Sequence, residues 1–251
     1  MKISIVTVCR NSESTIRSAI ESVLAQTYQD IEYIIVDGAS TDGTLSIVNE
    51  YRERIAHIIS EPDNGIYDAM NKGIKIAGGD FLGILNSDDF FASPDIIGGL
   101  VEFLTENPQL DGTYGDIVFV DKKNVERVVR MYSSQDFSPK QLRWGIMFPH
   151  ATFYVRRELF DSFGLYKLDY PVVSDFELVV RFIKRGISIG RYPRVMVKMR
   201  NGGVSNTSIW SVLRHNFDIA RACRENGIYS NILMMLPKIP FKLIGYIKPR
   251  I

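Results

Sequence analysis

Two adjacent carboxylates, Asp88 and Asp89, end the segment Asn86-Ser87-Asp88-Asp89. Side by side they repel each other unless something positive sits against them. A hard divalent cation does this, and Mg²⁺ or Mn²⁺ commonly bridges one or two protein carboxylates to the phosphates of a substrate. An acidic turn that caps a helix before Pro94 would use the same residues, so both readings stand at this level. Asp37 ends an apolar run over residues 31–36 and is followed by Gly38-Ala39-Ser40-Thr41-Asp42-Gly43. A carboxylate at the tip of a buried strand is placed to accept a hydrogen bond from a ligand. Asp42 is explained by capping the next helix, where short oxygen side chains are preferred.

The elements that must position these groups alternate in type. Residues 3–9 read as a buried strand, 14–24 as an amphipathic helix, 31–36 as a strand and 44–51 as a helix. The rhythm continues with a strand over 55–59, a helix over 66–76 and a strand over 81–85. Such alternation predicts an α/β fold of βαβ units, with a mostly parallel central sheet flanked by helices. Ligands of these sheets lie beyond the carboxyl ends of the strands. Cys9-Arg10-Asn11, Asp37-Gly38-Ala39-Ser40 and Asn86-Ser87-Asp88-Asp89 all fall there, so three loops converge on one crevice. From Gly112 the pattern turns β-rich over 113–120 and 125–132, followed by a helix over 175–184, a strand region over 187–197 and a helix over 208–225.

In order and wording these segments resemble family 2 glycosyltransferases with the GT-A (Rossmann-type) nucleotide-sugar fold, in particular those of bacterial polysaccharide biosynthesis. The matching stretches are Ser4-Ile5-Val6-Thr7-Val8-Cys9-Arg10-Asn11, the Asp37 to Thr44 segment, Asp63-Asn64-Gly65-Ile66-Tyr67-Asp68-Ala69-Met70-Asn71-Lys72-Gly73 and Leu85-Asn86-Ser87-Asp88-Asp89. Later ones are Pro149-His150-Ala151-Thr152-Phe153 and Val173-Ser174-Asp175-Phe176-Glu177-Leu178. The resemblance implies an inverting transfer of a sugar from a nucleotide-sugar, here a UDP-sugar, to a lipid-linked saccharide acceptor. It implies that Thr7, Asn11 and Asp37 hold the nucleoside, with Asp37 at the uracil edge, Gly65 beside the base and Asp88 near the ribose and phosphates. Asp89 would be the principal ligand of Mg²⁺ or Mn²⁺, and Asn86 stands where many relatives carry the first Asp of this element. Asp175 matches the family's catalytic base, with Ser174 before it where relatives often have Glu. A carboxylate there would take the proton of the attacking hydroxyl, and either residue could also cap the helix that follows. His150 is either an acceptor-side contact or a structural residue. The loop over residues 201–206 either closes over the donor or is a plain surface turn.

On this reading residues 1–111 form a nucleotide-sugar-binding half, 112–230 a smaller, β-containing acceptor-binding half of the same domain, and 231–251 an amphipathic C-terminal tail. The formal net charge of +1 conceals an asymmetry: residues 1–121 hold 7 Lys+Arg against 20 Asp+Glu, and residues 122–251 hold 23 against 9. Without a nucleic-acid motif, the basic half points to an anionic membrane surface or a phosphate-bearing acceptor rather than to nucleic acid. The tail mixes apolar residues with Lys238, Lys242, Lys248 and Arg250, a composition suited to lying in the headgroup region of an inner-face membrane or to packing on the domain. The short apolar run that ends at Cys9 lacks the length and small-residue cleavage site expected of a signal peptide, no apolar run of membrane-spanning length occurs in the sequence, and Cys9 and Cys223 form no disulfide or zinc pattern. A cytoplasmic protein attached peripherally to the inner membrane is expected. A non-catalytic binding subunit is the rival reading. Sugar nucleotidyltransferase and dinucleotide oxidoreductase activities lack their glycine-rich loops here.

Overall fold

A computed structural model describes residues 1–201 and 209–235 of the chain. The predicted donor-closing loop from residue 202 and the predicted membrane-facing tail from residue 236 lie outside the described residues. The chain begins with β1 (Ile3–Cys9), α1 (Ile16–Leu24), β2 (Ile31–Asp37), α2 (Thr44–Glu50), β3 (His57–Ser60), α3 (Ile66–Ile76) and β4 (Phe81–Ile84). It continues with β5 (Asp89–Phe91), α4 (Ile96–Glu106), β6 (Gly112–Val120), β7 (Val128–Tyr132) and β8 (Tyr154–Arg156). Last come α5 (Glu158–Phe163), α6 (Ser174–Lys184), β9 (Ile189–Arg200) and α7 (Ile209–Glu225).

The strands form one sheet in the order β3-β2-β1-β4-β8-β6-β9-β5, with β7 on β6. The predicted parallel βαβ part is present: β1 runs parallel to both β2 and β4, and β2 parallel to β3. Beyond β4 the sheet becomes mixed. The short strand β8 runs antiparallel to β4 and β6, β6 and β9 run parallel, and β5 returns antiparallel to β9.

Alternation along β1 divides the interior. Ile3, Ile5 and Cys9 enter a core with Ile16, Ile20 and Val23 of α1, Val48 of α2 and Leu100 of α4. Val6 and Val8 enter the opposite core with Tyr67, Met70 and Ile74 of α3 and with Leu178 and Phe182 of α6. Helices therefore cover both faces, which is why β1 and β2 read as continuous apolar runs. Ile16, Ala19, Ile20 and Val23 are the buried stripe of α1 at helical spacing. Each fully buried aliphatic side chain contributes about 1.5–3 kcal/mol.

Gly73 sets how closely α3 approaches the sheet, since a Cβ there would lie 2.4 Å from Val6 Cγ1 and 3.3 Å from Val36 Cγ2. Both valines sit on central strands that cannot withdraw. Gly73→Ala gains about 1 kcal/mol of helix propensity but overpacks the interface, at a cost of about 1–3 kcal/mol. We expect a net loss of stability, read as a fall in the urea midpoint with an unchanged m-value; a higher midpoint would show that α3 is free to shift.

Candidate active site

A cavity of about 650 Å³ opens beyond the carboxyl ends of β1 and β4. This is where the strand order reverses: from β1 the chain moves outward to β2 and β3, then returns to β4 on the other side. Such switch points leave a crevice between diverging loops. Its walls come from Cys9 to Ser12 after β1, Asn86 to Asp88 after β4, and Gly65, Ile66 and Ala69 at the start of α3. Gly65 has φ 111°, a conformation that any side chain would strain, and the Asp63 carboxylate accepts a hydrogen bond from its amide at 2.9 Å. The loops after β1 and β2 clasp each other through Asn11, itself left-handed with φ 50°. Its amide donates to Ser40 Oγ at 2.8 Å, and its Oδ1 accepts from the Thr41 amide at 2.9 Å.

Asp88 lines this cavity, with Lys122 and Arg200 on the same wall. Arg200, at the end of β9, donates to the Asp88 carbonyl at 2.5 Å and to Ser18 Oγ at 2.7 Å. Asp89 opens β5 and is 1% exposed. Burial, and after it the charge of Asp88, pushes its carboxyl up to about 8. Asn86 Nδ2 donates to Asp89 Oδ2 at 3.3 Å, which leaves Asn86 Oδ1 buried without a hydrogen-bond partner. An orphaned carbonyl oxygen beside two carboxylates suits a cation or a donor group of a ligand. Among the described residues no three His, Cys, Asp or Glu side chains gather as a metal site.

A second cavity, of about 340 Å³, adjoins the first and shares Asn86 and Ile66 with it. Asp175 lies on its wall, as do Tyr67, Arg130, Tyr132, His150 and Met199. Asp175 is in the first turn of α6, where its Oδ1 accepts from the Phe176 amide at 2.8 Å and from the Tyr67 hydroxyl at 3.1 Å. His150 Nε2 is 2.8 Å from the Tyr166 hydroxyl. Burial holds its imidazole below the ordinary value, with the Asp175 charge opposing, so His150 favours the neutral form.

Of the residues singled out in the sequence, Asn11, Gly65 and Asp88 line the larger cavity, and Asp175 and His150 the smaller. Thr7, Asp37 and Asp89 line neither. Thr7 shares the alternation of Ile3 and Ile5, is fully buried and accepts the Tyr33 hydroxyl at 3.1 Å. Asp37, 0% exposed, is enclosed by donors: the Ser40 amide and hydroxyl, Ser60 Oγ at 2.7 Å and the Cys9 thiol at 3.7 Å. Lys122 and Arg200 on the larger cavity and Arg130 on the smaller are site residues that the sequence does not mark. No motif surrounds them, and the basic excess after residue 121 was the one sequence signal that bears on them.

A mixed α/β sheet with acidic and basic loops around a nucleotide-sized cleft at the switch point, and a carboxylate across a partition, defines the GT-A class of glycosyltransferase. The chain matches the model of glycosyl transferase family 2 over residues 4–164 and belongs to that family. It is 31% identical over 211 residues to a PGL/p-HBAD biosynthesis glycosyltransferase of Mycobacterium bovis, covering 82% of this chain and 80% of the relative. It is 29% identical over 188 residues to the UDP-Glc:alpha-D-GlcNAc-diphosphoundecaprenol beta-1,3-glucosyltransferase WfaP of Escherichia coli, covering 74% and 71%. Among solved structures, S. aureus TarS 1-349 in complex with UDP superposes with a TM-score of 0.68 at 19% identity, over 88% of this chain and 65% of that one. The mannosyltransferase PcManGT from Pyrobaculum calidifontis, in complex with GDP-Man and Mn²⁺, gives 0.66 at 19% identity over 94% and 68%.

Proposed function

We propose that this enzyme transfers a sugar, with inversion, from a UDP-sugar to a hydroxyl of a lipid-linked saccharide during surface polysaccharide assembly. One observation carries the reading: Asp175 lines a chamber that shares Asn86 and Ile66 with the Asp88 cleft. A donor in the larger cavity and an acceptor in the smaller would meet there. The acceptor oxygen bonds to the anomeric carbon while its proton passes to Asp175, and the bond to the diphosphate breaks with its electron pair leaving on the phosphate oxygen. Asn11, Gly65 and Asp88 contact the nucleotide in this scheme, Lys122 and Arg200 face its phosphates, and Asp37 and Thr7 act from behind by shaping the strand tips.

Asp89, with Asp88 and the Asn86 carbonyl oxygen, would hold Mg²⁺ or Mn²⁺. The chemistry such an ion would supply is an offset to the charge that develops on the departing diphosphate. The TarS complexes with UDP and UDP-GlcNAc support a uridine donor, the GDP-Man and Mn²⁺ of PcManGT supports the metal, and the diphosphoundecaprenol in the name of WfaP supports a lipid-linked acceptor. Work at the inner face of a membrane follows from such an acceptor. No helix among the described residues is long and apolar enough to cross one.

A thermal-shift screen of UDP- and GDP-sugars with and without Mn²⁺ tests this. A UDP-sugar with Mn²⁺ should stabilise by about 2.7 kcal/mol at 100-fold excess over Kd, more than either component alone, and Asp89→Asn should remove the Mn²⁺-dependent part. Equal stabilisation in EDTA excludes the metal, and a GDP-sugar as the stronger ligand corrects the donor.

A further inference from the structure

The long segment from Asp63 to Gly73 is only partly absorbed by the nucleotide cleft, which takes Asp63, Gly65, Ile66 and Ala69. Tyr67 and Met70 face the other chamber. Helical spacing makes α3 a double-sided element, with 66 and 69 toward the donor side and 67 and 70 toward Asp175.

We propose that Tyr67 is a positioning residue for the base: its hydroxyl holds Asp175 by Oδ1 and leaves Oδ2 to receive the acceptor's proton. The proposal rests on Asp175 being that base. Tyr67 Oη lies 3.1 Å from Asp175 Oδ1 and 2.9 Å from the Val172 carbonyl oxygen, so its one proton is shared between the carboxylate and the turn that leads into α6. The Phe176 amide also ends on Oδ1, and among the described residues no donor reaches Oδ2. Burial, and after it the charge of Asp175, raises the Tyr67 phenol well above its ordinary value, so Tyr67 stays a donor at working pH. The ring is itself fixed, stacked on Tyr166 at 5.5 Å, and one turn further along α3 Asn71 clamps both the amide and the carbonyl of Tyr166 at 2.9 Å. The same helix therefore shapes the donor wall and braces the carboxylate opposite. This geometry lets a carboxylate that has Ser174 before it, rather than a second acid, keep one fixed orientation.

Tyr67→Phe keeps the ring and its stacking on Tyr166. UDP release is followed with the nucleotide-sugar that shifts stability most and an α-GlcNAc-diphospho-lipid as acceptor. We expect kcat to fall roughly 10- to 100-fold with the UDP Kd and the melting temperature unchanged. In an Asp175→Asn background the same substitution should have almost no further effect, because the residue through which it acts is gone. An unaltered kcat, or an equal fall in both backgrounds, overturns the brace while leaving Asp175 as the base. No loss from Asp175→Asn alone, or no release by the unmodified enzyme with any donor, overturns the base and the brace together.

Discussion

Asp175→Asn is expected to slow transfer by about 10²- to 10⁴-fold with UDP affinity essentially intact. The amide is isosteric, and its oxygen can still accept from the Phe176 amide and the Tyr67 hydroxyl, so the start of α6 keeps its shape. It cannot take up a proton, so the acceptor hydroxyl must attack unassisted. Asp175 lines the smaller chamber and not the larger, so with the donor in the larger one, as proposed, donor binding is spared. Single-turnover rates with saturating donor, beside calorimetric UDP affinities, separate the two effects. Weaker UDP binding with undiminished turnover would move Asp175 to the donor site and leave the reaction without its base.

Glu177→Ala should destabilise the fold by about 3–5 kcal/mol. Glu177 is fully buried, and both carboxylate oxygens accept from Arg181 Nε, at 3.1 and 3.2 Å. Lys167 Nζ lies 3.0 Å away and Asn226 Nδ2 3.2 Å. Arg181, 7% exposed, also donates from Nη2 to Glu177 Oε2 at 3.1 Å, and its two Nη groups reach the carbonyls of Phe163, Gly164 and Leu165, the residues that lead into Tyr166. Removal of Glu177 strands a buried guanidinium and loosens the segment that seats His150 and Tyr67. At about 2–4 °C per kcal/mol for a chain of this size, the melting temperature should fall by roughly 10 °C. Lys167→Ala serves as the contrast: Lys167 is 38% exposed and its loss leaves Glu177 paired with Arg181, so the cost should be about 0–1 kcal/mol. Similar losses from both would mean that the cluster derives its strength from surface charge rather than burial.

The parallel part of the fold was legible because β1, β2 and α3 carry long, unbroken periodic patterns; α3 was read at Ile66–Ile76, as found. β5 and β8, of three residues each, are too short to show a period, and so the mixed half of the sheet was not foreseen in detail. Gly98 and Gly99 interrupt the helical pattern of α4 in the sequence, although Ile96, Ile97, Leu100 and Leu104 form its buried stripe. The same limit governs the site. Asn11, Gly65 and Asp88 sit on loops, where sequence position and wall position coincide. Asp89 reads as the last residue of an acidic turn, yet it begins a strand paired with β9 at Met199, which draws its side chain inward. Thr7 and Asp37 were placed at the correct strand ends, but which face a side chain takes is decided by register with its neighbours, here Cys9 opposite Asp37. Arg200 reaches Asp88 from 112 residues away, a juxtaposition created by pairing β9 with β5.

Asn86 and Ile66 are the two residues that the chambers have in common. The larger chamber is otherwise furnished mainly by the chain up to Asp88, and much of the smaller by residues between Ile117 and Asp175. With the donor in the larger chamber and the acceptor in the smaller, as proposed, substitutions in the later segment would alter what receives the sugar and leave the walls that hold its carrier in place. A family built on this plan can diversify its products one side at a time.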